Sequence, residues 1–252
     1  MTNKLKYFIA NWKMYGHVKS LKSLNKVIKF QKRNIKAKKI KIVYCPPFTL
    51  LHPFVQKFKN SNIKTGAQNC SFESKYGPPT GSINAKMIKL LKCEYVIIGH
   101  SEKRAKGDSD QIINKKIQSA LKNKLKVIFC IGETLSQKKR RMTKKILFNQ
   151  LNRGLKKIKN KNNIIVAYEP IWSIGSGKLP SSSELEKNIV ILKKFIKQKF
   201  RLNYNTKLIY GGSVDKKSIS DFKSIKELDG FLIGGASKSS NNFIDIIKNF
   251  YK

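Results

Sequence analysis

The sequence predicts a single-domain α/β chain folded as a closed (β/α)8 barrel, on three observations. Eight short runs rich in β-branched and aromatic residues recur along the chain, each the right length for a buried strand. Segments with helical apolar spacing separate them. The chain has 252 residues, 40% of them hydrophobic, about the upper size for one continuous core. Strands alternating with helices imply parallel pairing with right-handed crossovers, and eight such units fit a closed barrel better than an open sheet. No Gly/Ser/Pro-rich linker divides the sequence, so residues 1–252 are expected to form one domain.

The first strand is expected at 7–10 (YFIA), followed by NWKM and a helix carrying Leu21, Leu24, Val27 and Ile28 on one face. IKIVYC at 40–45, IKTGA at 63–67 and YVIIG at 95–99 supply the next three strands. Asp108 with Gln111 is the start signal for a helix over 110–123. KVIFCIG at 126–132 is the fifth strand, and the KKRRMTKK stretch at 138–145 reads as part of a lysine-rich helix on the outside. NIIVAYE at 163–169 is the sixth. Its sequel PIWSIGSGK, with Gly175 and Gly177, is a loop able to hinge over a pocket. Ser181 with Glu184 makes a capping box, opening a helix over 181–201 whose buried face includes Ile189, Leu192, Phe195 and Ile196. KLIYGG at 207–212 and GFLIGG at 230–235 complete the strands, each ending in a glycine pair and leading into helices expected near Ser213 and Ala236.

With 54 Lys+Arg against 14 Asp+Glu the formal charge is +40. Apolar residues nevertheless run throughout, which excludes a disordered polyelectrolyte. A positive field attracts phosphate, nucleic acid or anionic lipid without choosing among them. The lysines are dispersed, as on solvated helix faces, and aromatics are not interleaved with them on one surface, so no specific nucleic-acid partner is expected. No apolar run approaches the roughly 18 residues of a membrane span, and the apolar stretch at the start is too short for a signal peptide. A cytoplasmic protein without membrane association is the expectation. Cys45, Cys70, Cys93 and Cys130 are far apart, with no CxxC or His/Cys cluster, and read as reduced core thiols rather than metal ligands.

In a barrel of this kind chemistry gathers where strands end at the carboxyl face. Asn11 and Lys13 follow the first strand, His100 the fourth, Glu169 the sixth, Ser213 the seventh, and Gly234 with Gly235 the eighth. Strand alternation puts Asn11 and Lys13 on one side and Trp12 on the other. Glu169 precedes Pro170 and is therefore held extended, which aims its carboxylate. The glycine pairs offer free backbone N–H groups suited to phosphate. His17 and His52 read as structural.

The segments ANWKM (10–14), GAQNCSFE (66–73), IIGHSEKR (97–104), AYEPIWSIGSGK (167–178), YGGSV (210–214) and DGFLIGGAS (229–237) resemble the triosephosphate isomerase family along the full chain. The resemblance implies a TIM barrel enzyme of glycolysis and gluconeogenesis. Such an enzyme interconverts dihydroxyacetone phosphate and D-glyceraldehyde 3-phosphate by base-mediated proton transfer through an enediol(ate), with no metal or organic cofactor. It further implies Glu169 as the base, His100 as a neutral electrophile, Lys13 with Asn11 as oxyanion stabilisers, and Glu102 as a carboxylate beside Lys13. Backbone donors at Gly175, Ser213, Gly234 and Gly235 would hold the phosphate, and Trp172 and Ile174 would supply the apolar inner face of a lid over 170–178. The family forms homodimers. Here Lys103 stands where it commonly has arginine and Ser82 where it commonly has glutamate, an expected loss of an ion pair across that interface, while the 74–81 loop carries two prolines and would reach the partner with Thr80. The alternatives are another phosphate-binding barrel enzyme, such as an aldolase or epimerase, or a basic polyanion-binding barrel without catalysis.

Overall fold

The computed structural model describes residues 4–34, 39–159, 161–200 and 206–252. Eight strands, β1 (Lys6–Asn11), β2 (Ile40–Cys45), β3 (Lys64–Ala67), β4 (Tyr95–Ile98), β5 (Lys126–Ile131), β6 (Ile164–Tyr168), β7 (Lys207–Tyr210) and β8 (Gly230–Ile233), close into a barrel in sequence order. Every neighbouring pair is parallel, and β1 completes the ring by pairing Ile9 with Val43 on one side and Leu232 on the other.

Period-two alternation divides the strand side chains between two cores. Ile9, Val43, Cys45, Ile97, Ile128, Cys130, Ala167, Ile209 and Leu232 fill the barrel interior. Their neighbours Phe8, Ile42, Tyr44, Val96, Phe129, Val166, Leu208, Tyr210 and Phe231 point outward and pack under the helices. Those helices are α1 (Leu24–Asn34), α2 (Leu51–Phe58), α3 (Ala85–Leu90), α4 (Ser101–Arg104), α5 (Asp110–Lys122), α6 (Leu135–Lys139), α7 (Thr143–Gly154), α8 (Ser182–Phe200) and α9 (Ser240–Tyr251). In α8 the buried residues Leu185, Ile189, Leu192 and Ile196 recur every three or four positions, the stripe a helix needs to cover a sheet. All four cysteines are buried and unpaired. Among the described residues no helix is long and apolar enough to cross a membrane.

Some local expectations change. The cap of α5 is Ser109, whose hydroxyl accepts from Ile112 N–H, while the Asp108 carboxylate is drawn to the buried Lys116 at 2.7 Å. At α8 the Ser181 hydroxyl accepts from Glu184 N–H as the capping box requires, but the Glu184 carboxylate turns to Lys138 at 2.7 Å; the expected end at 201 lies outside the described residues. The 138–145 stretch is broken: α6 ends at Lys139, Arg141 takes the left-handed conformation (φ 56°), and α7 starts afresh at Thr143. No helix starts near Ser213. The Asp215 carboxylate accepts from Lys217 and Ser218 N–H, and a single 3-10 turn, Ser218–Phe222, follows, burying Ile219 and Phe222 at its i, i+3 spacing. After β8 there is likewise only a 3-10 turn, Gly235–Lys238, before α9.

Candidate active site

The alternation that fills the barrel also delivers the site. One step past Ala167 and Tyr168 at the end of β6, Glu169 points inward, and Asn11 does the same at the end of β1. Both are buried. Gly99, with φ 78°, turns the chain after β4 so that His100 also enters the mouth. Lys13 arrives by a different route from the one expected: β1 stops at Asn11, and Lys13 adopts φ 52° while its N–H donates to Asn11 Oδ1 at 3.1 Å. Trp12 faces away as expected, edge-on to Phe54 in the outer core, with its indole N–H on the Ser237 carbonyl at 3.1 Å. Asn11, Lys13, His100 and Glu169 share one cavity of about 290 Å³. Ile174, Gly175 and Gly177 of the 170–178 loop and Ser213, Gly234 and Gly235 line it as well.

The His100 Nδ1 accepts the Glu102 backbone N–H at 3.3 Å. That bond assigns the lone pair to Nδ1, so in the neutral ring Nε2 carries the proton, which faces the cavity. Nε2 lies 3.7 Å from Glu169 Oε1. Burial pushes the Glu169 carboxyl above its ordinary value, while His100, the Cys130 thiol and Lys13 pull it back and Glu102 adds to the rise. The carboxyl is therefore a stronger base than one in water. Glu102 behaves oppositely. Burial alone would raise it, but its hydrogen bond from Lys13 Nζ at 2.8 Å and the nearby His100 hold it below the usual range. It is half exposed, and it tethers the Lys13 ammonium within the cavity.

Glycine is needed where the base passes closest. A Cβ on Gly211 would stand 2.5 Å from Glu169 Cγ, and one on Gly132 would stand 1.8 Å from the Glu169 carbonyl oxygen.

The 170–178 loop is pinned at both ends. Ile171 N–H donates to the Glu133 carbonyl at 2.9 Å and the Trp172 indole N–H to Glu133 Oε1 at 2.9 Å, while the Lys138 ammonium lies over the Trp172 ring. The next residue, Ser173, continues the anchorage: Ser213 Oγ donates to its carbonyl at 2.6 Å and its Oγ meets Tyr210 Oη at 2.9 Å, while at the far end of the loop the Lys178 carbonyl accepts from Ser173 Oγ at 2.6 Å. Gly175 and Gly177 both have positive φ, which the turn between these anchors requires. Of the two expected inner-face residues, Ile174 lines the cavity, whereas Trp172 turns away to Glu133. The Ser213 N–H is directed at Ser173 Oγ (3.4 Å), so it is shared with the loop.

Several contributors to the site carry little or no signal in the sequence. Glu133, fully buried and pushed up by burial, follows directly on the fifth strand segment, and a carboxylate at the mouth of a strand was its available signal. Gln68 follows β3 and donates to the carbonyls of Lys13 and Cys45 at 2.7 and 2.9 Å. The Tyr210 hydroxyl had no signal, since a tyrosine within a strand reads as core. Among the described residues no group of three or more His, Cys, Asp or Glu could hold a metal ion.

A closed parallel barrel with a buried carboxylate, an imidazole and an ammonium facing a glycine-lined wall under a pinned loop defines the class of barrel enzymes that move protons on small phosphorylated substrates. The profile of the family described as triosephosphate isomerase matches residues 6–250. The triosephosphate isomerase of Dictyoglomus thermophilum is 37% identical over 249 residues, covering 97% of this chain and 99% of its own. That of Clostridium tetani is 36% identical, covering 94% of both, and that of Dehalococcoides mccartyi 38%, covering 95% and 94%. The crystal structure of triosephosphate isomerase from Bartonella henselae superposes with a TM-score of 0.88 at 32% identity, over 98% of this chain and 99% of that one. The chain belongs to the triosephosphate isomerase family, a family of isomerases. This full-length match does not favour the aldolase-type or purely polyanion-binding alternatives.

Proposed function

We propose that this chain interconverts dihydroxyacetone phosphate and D-glyceraldehyde 3-phosphate, with residues 1–252 acting as one barrel domain. The observation that carries the reading is the convergence of Asn11, Lys13, His100 and Glu169 on one cavity whose other wall is glycine backbone. Glu169 takes a proton from the carbon beside the substrate carbonyl. The electron pair moves to the carbonyl oxygen, where the His100 Nε2–H and the Lys13 ammonium, steadied by Glu102 and Asn11, stabilise the enediolate. The proton of the adjacent hydroxyl passes to the former carbonyl oxygen by way of His100 Nε2, which leaves the charge on the other oxygen, and Glu169 then returns its proton to the neighbouring carbon as the new carbonyl forms. Backbone N–H groups at Gly175, Gly234 and Gly235, with Ser213, hold the phosphate. A positioned base contributes ~10²–10⁴-fold and an oxyanion donor ~10²–10³-fold, so the two must act together on so weak a carbon acid. The loop over 170–178 excludes water from the enediolate, which would otherwise eliminate phosphate.

The test is isomerisation of D-glyceraldehyde 3-phosphate in a coupled assay. Glu169→Gln keeps the shape and removes the base, and kcat falls at least ~10²-fold, about 2.7 kcal/mol. A folded wild-type chain without this activity overturns the reading.

The same reading places the chain in the cytoplasm, in glycolysis and gluconeogenesis, as a homodimer. Support for the dimer is the exposed apolar group Met14, Tyr15 and Val18 beside the site and the exposed 74–82 loop with Tyr76. Lys103 and Ser82 are both exposed, and with serine at 82 the contact between them lacks a carboxylate. Light scattering at micromolar protein is expected to give twice the 28.9 kDa chain mass, and a monomeric mass removes the dimer from the proposal.

A further inference from the structure

A second cavity, of about 220 Å³, opens at the other end of the barrel, where β3 and β4 begin. Its apolar wall is Val55 and Phe58 from α2 together with Ile63. Its polar lining is lysine-rich: Lys59, Lys64 and Lys92, with Glu94 as the one carboxylate. Glu94 is already engaged. Its Oε1 pairs with Lys64 at 2.6 Å and its Oε2 with Lys126 at 3.9 Å. Lys41 faces the same group, and burial together with the charges of Lys64 and Lys126 holds its ammonium below the ordinary lysine value, with Glu94 pulling the other way. One carboxylate thus answers three lysines. Lys59 and Lys92, exposed at the rim, have no carboxylate within ion-pair distance among the described residues.

An apolar wall with uncompensated ammonium groups at its edge matches one ligand chemistry: an anionic head on a small apolar body. We propose that this cavity is a second anion site, separate from the isomerase site, that takes a small phosphomonoester with an aromatic or branched apolar body. The head sits between Lys59 and Lys92, where charge is unmatched, and the body lies on Phe58, Val55 and Ile63. A bare anion gains nothing from that wall, and a neutral body gains nothing from the lysines. The preference for both together separates a site from the general attraction of a basic surface.

Phenyl phosphate is the probe, titrated calorimetrically into the whole protein at physiological salt with an equilibrium mixture of triose phosphates saturating the isomerase site. One binding event per chain is expected to remain. Phenol and inorganic phosphate are each expected to bind at least about tenfold more weakly, and Lys59→Gln with Lys92→Gln to weaken phenyl phosphate by about tenfold or more. Both lysines are exposed and remote from the catalytic mouth, so isomerase activity and thermal stability of that variant stay at the wild-type level, which confirms that it is folded. The proposal is overturned if triose phosphate abolishes all phenyl phosphate binding, if the double variant binds as wild type does, or if inorganic phosphate binds as tightly as its phenyl ester.

Discussion

Gly211→Ala tests the placement of the base without touching its chemistry. The added methyl would lie 2.5 Å from Glu169 Cγ and 2.8 Å from Oε1, where ordinary van der Waals contact begins at 3.4 Å. The carboxylate must therefore retreat by about 0.9 Å at Cγ. The atoms met belong to a side chain and not to backbone, so the displacement falls on the geometry of proton transfer. A misplacement near 1 Å costs on the order of 10²-fold, or about 2.7 kcal/mol of barrier. The glycines at 234 and 235 stand on a different loop, so substrate affinity is largely kept. In the coupled isomerisation assay kcat is expected to fall about 10²-fold with KM changed less than about threefold and the melting temperature near wild type. A variant with kcat within twofold of wild type would refute the claim that this glycine fixes the carboxylate.

Trp172→Phe removes the indole N–H from Glu133 and leaves a buried carboxylate oxygen with one donor fewer; a hydrogen bond to a charged group contributes ~1.5–3 kcal/mol, so kcat/KM is expected to drop by about tenfold through weaker loop closure, and unchanged kinetics would detach the indole from closure. Glu133, raised by burial, keeps its proton to higher pH when folded than its ordinary value of 4.5, so it favours the folded state below that value and this contribution is lost as pH rises through the folded pKa. Glu133→Gln should accordingly melt higher than wild type at pH 8, with the gap closing toward pH 4.5; a gap that does not depend on pH contradicts the buried-carboxyl argument. The formal charge of +40 should speed encounter with a dianionic substrate, so kcat/KM is expected to fall several-fold from low to physiological ionic strength, and a flat profile, corrected for competing anions, excludes steering.

What could be read from the sequence follows from how local the causes are. Alternation in NIIVAYE sufficed to aim Glu169, because each residue of a parallel barrel strand faces either the interior or the helices. The eight strands were found within two residues at each end for the same reason. Asp108 and Ser109 are both good caps, and what separates them is Lys116, two turns along α5, which claims the aspartate. The missing helix after β7 depends on Asp215 closing a turn on its own backbone, a choice invisible in hydrophobic periodicity. Glu133 and Tyr210 matter through partners on the 170–178 loop, and a pairing across 39 or 37 residues leaves no mark on the spacing of either.

Closure of the ring by β1 and β8 has a consequence for how the chain is made. β8 ends at Ile233, so almost the whole sequence must leave the ribosome before β1 finds its second neighbour. Until then the nascent sheet presents two open edges, β1 and β7, and an interior core still open to water. Unpaired strand edges are templates for association, and long-range parallel pairing is slow. The dense positive charge acts in this interval as well: neighbouring unfinished chains repel one another while their edges are exposed. A chain truncated before residue 230 loses the seam rather than a single strand, and keeps both edges permanently.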